Sequence, residues 1–268
     1  MDARSAFPPR IARRVRADVL ILLPPSETKR PGGRARPLDI GSLALPALAL
    51  ERHAVVEGLV ALSADEDAAA RVLKLGVTQR SDVAVNAALR SGPTLPAVDR
   101  YTGVLYDALD ARSLDAAARR WLGSHVLIHS APFGPVGALD AIPSYRLGAG
   151  TSLPGLPALR RHWSDPVTAA LAAASPSFVL DLRSEAYVAL GPVPTSVRSV
   201  YVRVVSAGEG GAVRALNHFN KHAKGALVRR LAQERPRISS AAALRGWADA
   251  AGVALRPGTD GEWLLFAE

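Results

Sequence analysis

Five polar clusters carry the residue types that could do chemistry, and most of them follow a short apolar run. In the first, Ser26-Glu27-Thr28-Lys29 comes after VLILLPP. A hydroxyl and an ammonium three residues apart on a Pro-Pro turn suit an anionic group, and an ordinary polar loop fits the same residues. The second is Tyr101-Thr102-Gly103 with Tyr106 and Asp107, where tyrosines offer a stacking face and a hydroxyl. The third is SAPFGPVGALDAIPSYRLGAG, residues 130–150. Its glycines and prolines fix an irregular backbone path around Ser130, Asp140, Tyr145 and Arg146. An arginine in such a frame suits an anion or a carboxylate; one paired to Asp140 to lock the loop is the alternative.

The fourth cluster is DLRSEAY, residues 181–187. Asp181 and Glu185 could act as an acid/base pair or bind a metal; Ser184 as a helix cap with Tyr187 packed below it is equally compatible. The fifth is KHAKGALVR, residues 221–229. At helical spacing Lys221, His222, Lys224, Gly225 and Arg229 share one arc, and Ala223, Ala226, Leu227 and Leu231 face the other way. Such a face suits a phosphate backbone or a carboxylate, or simply solvent.

The elements that must position these clusters are legible from periodicity. The β-branched and aliphatic run at residues 19–23 reads as a buried strand, as do 125–129 and 178–182. Residues 100–105 also read as a strand, and 197–205 alternate like a half-exposed one. A further strand is expected at 262–266. Helices are expected at 61–75, with Ser63 as N-cap, and at 81–89, 113–122, 166–174 and 241–251. Residues 42–62 are helical in composition but interrupted. The reading is a mixed α/β protein, a single domain at 18–268 with a mixed central sheet surrounded by helices. Strand spacing is too irregular for a Rossmann or barrel fold, and GxGxxG and Walker patterns are absent. Clusters at strand ends are where α/β folds place ligand loops.

Composition narrows the chemistry. With 268 residues, about half of them apolar, the chain can bury a substantial core. It has no cysteine, which excludes disulfides, thiol nucleophiles and Cys-ligated metals. No apolar stretch approaches 18 residues, so no membrane partner is expected, and residues 19–23 are too short for a signal-peptide core. A cytoplasmic location is expected. The net charge of +9 favours polyanions. Part of it sits on residues 1–17, expected to be a disordered basic arm with Arg4, Arg10, Arg13, Arg14 and Arg16. A second basic segment spans residues 214–237. No Ser–His–acid order or HExxH pattern appears, and His125 and His129 read as packed strand residues. Neither a metal site nor a cofactor is expected.

Taken in order, the clusters resemble the YaaA family of peroxide-stress proteins. LPPSETK is similar to that family's N-terminal strand and loop, and Tyr101-Thr102-Gly103 to its central Tyr-Thr-Gly. Residues 130–150 resemble its longest signature, Trp163 the Trp of its Phe-Trp segment, DLRSEAY its Asn-Leu-Ala-Ser-x-Glu-Tyr segment, and KHAKGALVRRL its Lys-x-Ala-Arg-Gly helix. The resemblance runs from about residue 19 to about residue 232. It implies protection from hydrogen peroxide, limitation of free iron, a positively charged cleft, and a helix-hairpin-helix-like element that binds DNA. That hairpin would be residues 73–78, with Lys74, Gly76, Thr78 and Arg80 at the phosphates. The chain departs from the family in having Asp181 for Asn, no proline after Gly76, and the Arg-rich arm.

Two functional readings follow. In one, Lys74, Gly76, Thr78, Arg80, Lys221, Lys224 and Arg229 bind DNA phosphates without sequence preference. In the other, Ser26, Lys29, Tyr101, Ser130, Asp140, Arg146, Ser184 and Lys224 bind a small anionic, nucleotide-like ligand. Asp181, Glu185 and Tyr145 are then the candidates for proton transfer. Direct iron binding by carboxylates and histidines ranks last, because the ligands are not clustered.

Overall fold

The computed structural model describes residues 18–33, 36–207, 213–214, 217–259 and 261–266. The basic arm expected at residues 1–17 lies outside them. The first strand, β1 (Val19–Leu23), is buried along its whole length, as its uninterrupted apolar run requires of a strand covered on both faces. Helices α1 (Ala49–Leu62), α2 (Glu66–Val72) and α3 (Asp82–Ala87) follow. Ser63 ends α1 instead of starting a helix. Asp65 is the N-cap of α2, its carboxylate accepting from Ala68 N at 2.9 Å.

Next come β2 (Thr94–Pro96), α4 (Ala97–Arg100), α5 (Val104–Leu109) and α6 (Ala116–His125). The strand expected at 100–105 is therefore the junction of two short helices. Tyr101 and Leu105 are buried there by tertiary packing and, for Tyr101, one isolated bridge, not by membership of a sheet, while Thr102 and Val104 are partly exposed. Strand β3 (Val126–Ser130) leads into the glycine-rich segment, which is not a plain loop. It contains β4 (Gly134–Gly137), antiparallel to β3, and β5 (Ala141–Pro143), antiparallel to β2. Helix α7 (Leu159–Ala174) starts a full two turns before the expected residue 166 and runs through Pro166. Then follow β6 (Phe178–Asp181), α8 (Glu185–Val188), β7 (Ser199–Ala207), β8 (Val213–Arg214), α9 (Asn217–Glu234), α10 (Ala241–Ala250), β9 (Leu255–Pro257) and β10 (Glu262–Phe266).

The central sheet has the order β4-β3-β1-β6-β7-β10-β9, with β8 paired to the far end of β7. Strands β3, β1, β6, β7 and β10 are parallel, and β4 and β9 close the edges antiparallel. The irregular spacing that argued against a doubly wound sheet thus hides a parallel core. After β1 the chain builds outward to β3, then returns to place β6 on the other side of β1. At such a reversal the connections leave in opposite directions and open a crevice beyond the carboxyl ends of the strands. Register sets Leu22 of β1 beside Asp181 of β6, and Asp181 beside Tyr201 of β7.

Candidate functional site

The loop after β1 is pinned at that crevice. Pro24 presents its carbonyl to the Tyr106 hydroxyl at 2.7 Å. Beyond it, Lys29 forms an antiparallel bridge with Tyr101, with Arg30 N donating to Arg100 O at 2.8 Å and Thr102 N to Thr28 O at 3.2 Å. This bridge brings the first two clusters together. The Lys29 ammonium donates to the carbonyls of Ser26 and Glu27 at 3.0 and 3.2 Å. It lies 4.1 Å from the centre of the Tyr145 ring and 5.6 Å from that of Tyr101. Burial pulls its pKa down to about 7, the Arg146 charge pushes the same way, and Asp82 and Glu27 oppose.

Tyr101 and Tyr145 share a hydroxyl–hydroxyl hydrogen bond of 2.8 Å, and their rings meet edge to face. Burial drives both phenols well above their usual range, so both stay neutral at physiological pH. Ser130, fully buried at the end of β3, accepts from Phe133 N at 3.1 Å, which turns the chain sharply back into β4. Gly134 takes a left-handed φ of 61° there, and a side chain on it would press into the Trp163 ring.

Arg146 is held by its backbone. The buried Asn86 accepts from Arg146 N at 2.7 Å and donates to Arg146 O at 2.9 Å. The guanidinium has the carboxylates of Glu27 and Asp82 at 4.0 Å each, and among the described residues it makes no side-chain hydrogen bond. Other arginines of the interior are fully engaged. Arg52 donates to the carbonyls of Ala44, Leu45, Phe133 and Pro135, and Arg100 to those of Arg30, Pro93 and Ile142. Asp140 locks the segment through backbone amides, accepting from Gly137 N and Ala44 N, both at 2.7 Å.

A second cluster sits over β6 and β7. Asp181 binds the buried Arg183 through both oxygens, at 2.9 and 2.6 Å. Arg183 also reaches Gly191 O and His129 Nδ1. His129 therefore accepts at Nδ1, and burial together with Arg183 keeps it neutral. Lys224 is buried, 5.7 Å from the Tyr201 ring centre. Burial lowers its pKa to about 8, with Asp181 opposing and Arg203 assisting. Ser184 and Glu185 are exposed, and Glu185 lies 3.4 Å from Arg203, whose main partner is Glu262 at 2.8 Å. Ser184 gives α8 no side-chain cap. Tyr187 lies between the clusters, tilted against His129 at 5.8 Å; burial raises its pKa, and the neighbouring Tyr145 and Glu27 push the same way.

The structure thus gathers Lys29, Tyr101, Ser130, Tyr145 and Arg146, with the Ser26 carbonyl, in one place, and Asp181 and Lys224 in an adjoining one. The residues expected at DNA are dispersed. Lys74, Gly76 and Thr78 are exposed between α2 and α3, with Lys74 at φ 54°. Arg80 is bound to Asp67 at 2.7 Å and Glu66 at 3.6 Å. On α9, Lys221 is exposed, but Arg229 turns inward to cap α5, donating to Leu109 O and Asp110 O at 3.0 and 2.9 Å. The single basic arc expected on this helix does not form. Lys224 and Gly225 face inward with Leu227 and Val228, because α5 crosses α9 so closely that a side chain at Gly225 would overlap the Leu105 carbonyl. Among the described residues no group of three or more His, Asp or Glu could hold a metal ion. No helix there is long and apolar enough to cross a membrane.

Sequence reasoning missed Asn86, Arg52, Arg100 and Arg183. A mid-helix Asn is a weak sign of a tertiary hydrogen bond. Nothing in the local pattern marks Arg52 and Arg100, whose partners are all carbonyls, most of them distant in sequence; Arg183 pairs with Asp181 only two residues away, but the pair's burial is not visible locally.

Known proteins give the same picture of relatedness. The family described as "Peroxide stress protein YaaA" matches residues 19–257. A UPF0246 protein of Corynebacterium efficiens is 45% identical over 239 residues, covering 88% of this chain and 94% of its own. One from Streptomyces coelicolor is 47% identical over 217 residues, 80% of this chain and 82% of its own. A more distant one from Caulobacter vibrioides is 32% identical over 182 residues, 64% and 69% of the two chains. With the match running through the strand-end loops that build the site, this chain belongs to the YaaA family of peroxide stress proteins.

Proposed function

We propose that this peroxide stress protein acts in the cytoplasm by binding a small anionic ligand at the carboxyl ends of β1 and β3, with Lys29 and Arg146 as the anion receptor. One observation carries the reading. Arg146 is largely buried, with a side chain 24% exposed, yet its guanidinium donors are not taken up by the protein among the described residues. A planar fork of donors beside a second cation fits a phosphate or carboxylate. Tyr101 and Tyr145, buried and hydrogen-bonded to each other, form a rigid floor beneath Lys29, and the anion it receives is that of a nucleotide-like or smaller molecule. Thermal-shift titration with phosphate, pyrophosphate, nucleoside monophosphates and dicarboxylates tests it. At least one should stabilise the protein, and Arg146→Gln should remove the effect. Stabilisation that persists in Arg146→Gln, or none across the panel, overturns the reading.

Non-specific binding of DNA phosphates, helping to limit iron-dependent damage, is the second reading, favoured by the net charge of +9. It would rest on exposed Lys74 and Lys221, with residues 73–78 as a hairpin, since Arg80 and Arg229 have protein partners. Its sign is a steep loss of duplex affinity as salt rises. Affinity that does not change with salt, or no shift with duplex or single strands, counts against it.

A further inference from the structure

We propose that Lys29 is an amine nucleophile that forms an imine with an aldehyde or ketone carried by an anionic ligand, while Arg146 holds the ligand's charge. This rests on the anion-receptor reading of the same site and adds a covalent step to it.

The choice of residue type is the first argument. Only four of the 33 Lys and Arg residues are lysines: Lys29, Lys74, Lys221 and Lys224. Arginine cannot lose its proton in a protein and lysine can, so in so arginine-rich a chain a half-buried lysine at the ligand site is a distinct chemical choice. Geometry is the second. A neutral amine has two N–H donors and a lone pair, and Lys29 has two carbonyl acceptors, Ser26 O at 3.0 Å and Glu27 O at 3.2 Å. Both hydrogens are then satisfied and the lone pair is left for a carbonyl carbon. Among the described residues no carboxylate forms an ion pair with Nζ, so nothing in contact compels it to keep its proton.

The charged and titratable groups around it are Arg146, Asp82, Glu27 and Arg100, with Tyr101 and Tyr145 beneath. With burial as the largest influence, their sum leaves about half of Lys29 neutral near pH 7. Desolvation beside another cation is a recognised way to activate a lysine. The step balances without any redox partner. The nitrogen lone pair forms the C–N bond as the carbonyl π pair moves onto oxygen, one proton passes from nitrogen to that oxygen and a second comes from solvent, and the oxygen leaves as water as the nitrogen pair closes the C=N bond. The product is a protonated imine. The Tyr145 ring face, 4.1 Å from Nζ, favours that cation as it favours the ammonium. Lys224 shares the lowered pKa but is only 5% exposed, so it is the less accessible amine.

The test uses the full chain with pyridoxal 5′-phosphate as an anionic aldehyde probe, reduction with borohydride, and peptide mapping of the four lysines. At pH 7 Lys29 should be labelled at least about tenfold faster than Lys74 or Lys221, because burial leaves much of its amine neutral there and Arg146 holds the probe's phosphate beside it. Excess phosphate should slow the labelling, and Arg146→Gln should weaken it while leaving Lys74 and Lys221 unchanged. Mapping on the wild-type chain needs no variant to fold; Lys29→Arg, checked by its melting curve, should carry no adduct above that on Lys74 and Lys221. Labelling spread over the exposed lysines overturns the proposal. Pyridoxine 5′-phosphate, which lacks the aldehyde, separates the two layers. If it binds through Arg146 but the aldehyde gives no adduct at Lys29, the imine is refuted and the anion site stands. If neither compound binds or reacts there, both fail.

Discussion

Replacing Lys29 with methionine should flatten the dependence of stability on pH above neutrality. In the folded chain Lys29 loses its proton near pH 7, whereas in the unfolded chain it keeps it to about 10.4. Between those values the unfolded state binds more protons, so this site makes stability rise with pH across the window. Below pH 7 both states are protonated and the full desolvation cost is present. At about 1.4 kcal/mol per pH unit, a shift of some three units gives an upper bound of roughly 4–5 kcal/mol. Lys29 is only half-buried and water reaches it, so a change of about 2 kcal/mol is expected. Urea denaturation of both proteins from pH 6 to 10 measures it. Lys224 titrates alike in both and drops out of the difference. The advantage of Lys29→Met over wild type should be largest at pH 6 and shrink by about 2 kcal/mol by pH 10. Parallel curves would refute the argument, because they would mean that Lys29 titrates normally in the folded chain.

Three further outcomes are expected. Asp181→Asn leaves Arg183 charged and without its carboxylate in a fully buried place, which should cost about 3–5 kcal/mol in chemical denaturation. Gly225→Ala forces α5 away from α9 and should cost about 2 kcal/mol or more, read as a lowered melting temperature, with the exposed Lys221→Ala close to neutral as the control. Asn86→Ala removes both hydrogen bonds that fix the Arg146 backbone; it should cost about 1–3 kcal/mol and weaken the thermal response to anions, although Asn86 touches no ligand.

The centre of the sheet was readable because β1, β3 and β6 are buried on both faces and appear as short apolar runs near their expected places; α10 and the alternating β10 also stand near theirs. What misled was local pattern overridden by tertiary contact. Residues 100–105 have strand-forming side chains but end and begin helices, packing under the Lys29 bridge. The α9 arc put Lys224, Gly225 and Arg229 on a solvent face, and a close helix crossing, invisible along one helix, turned them inward. Of the candidate site, Lys29, Tyr145 and Arg146, which the structure brings together, could be singled out in the sequence because strand-end position and a glycine-proline frame are local signals. Asn86, which positions Arg146, and the Asp181–Arg183 pair, which occupies a carboxylate expected to move protons, depend on which side chains meet in three dimensions.

With only four lysines, the chain suits a titration of ¹³Cε-labelled lysine side chains by NMR, with and without an anion that stabilises the protein. The account predicts one accessible lysine, assigned by Lys29→Arg, with a midpoint near pH 7 that moves upward when the anion binds, because a bound negative charge favours the ammonium. The signals of the exposed Lys74 and Lys221 should not respond to the anion. A Lys29 midpoint far above neutrality that does not respond to any anion would contradict the claim that the carboxyl edge of this sheet is built around a proton-releasing amine and an arginine whose guanidinium makes no hydrogen bond among the described residues.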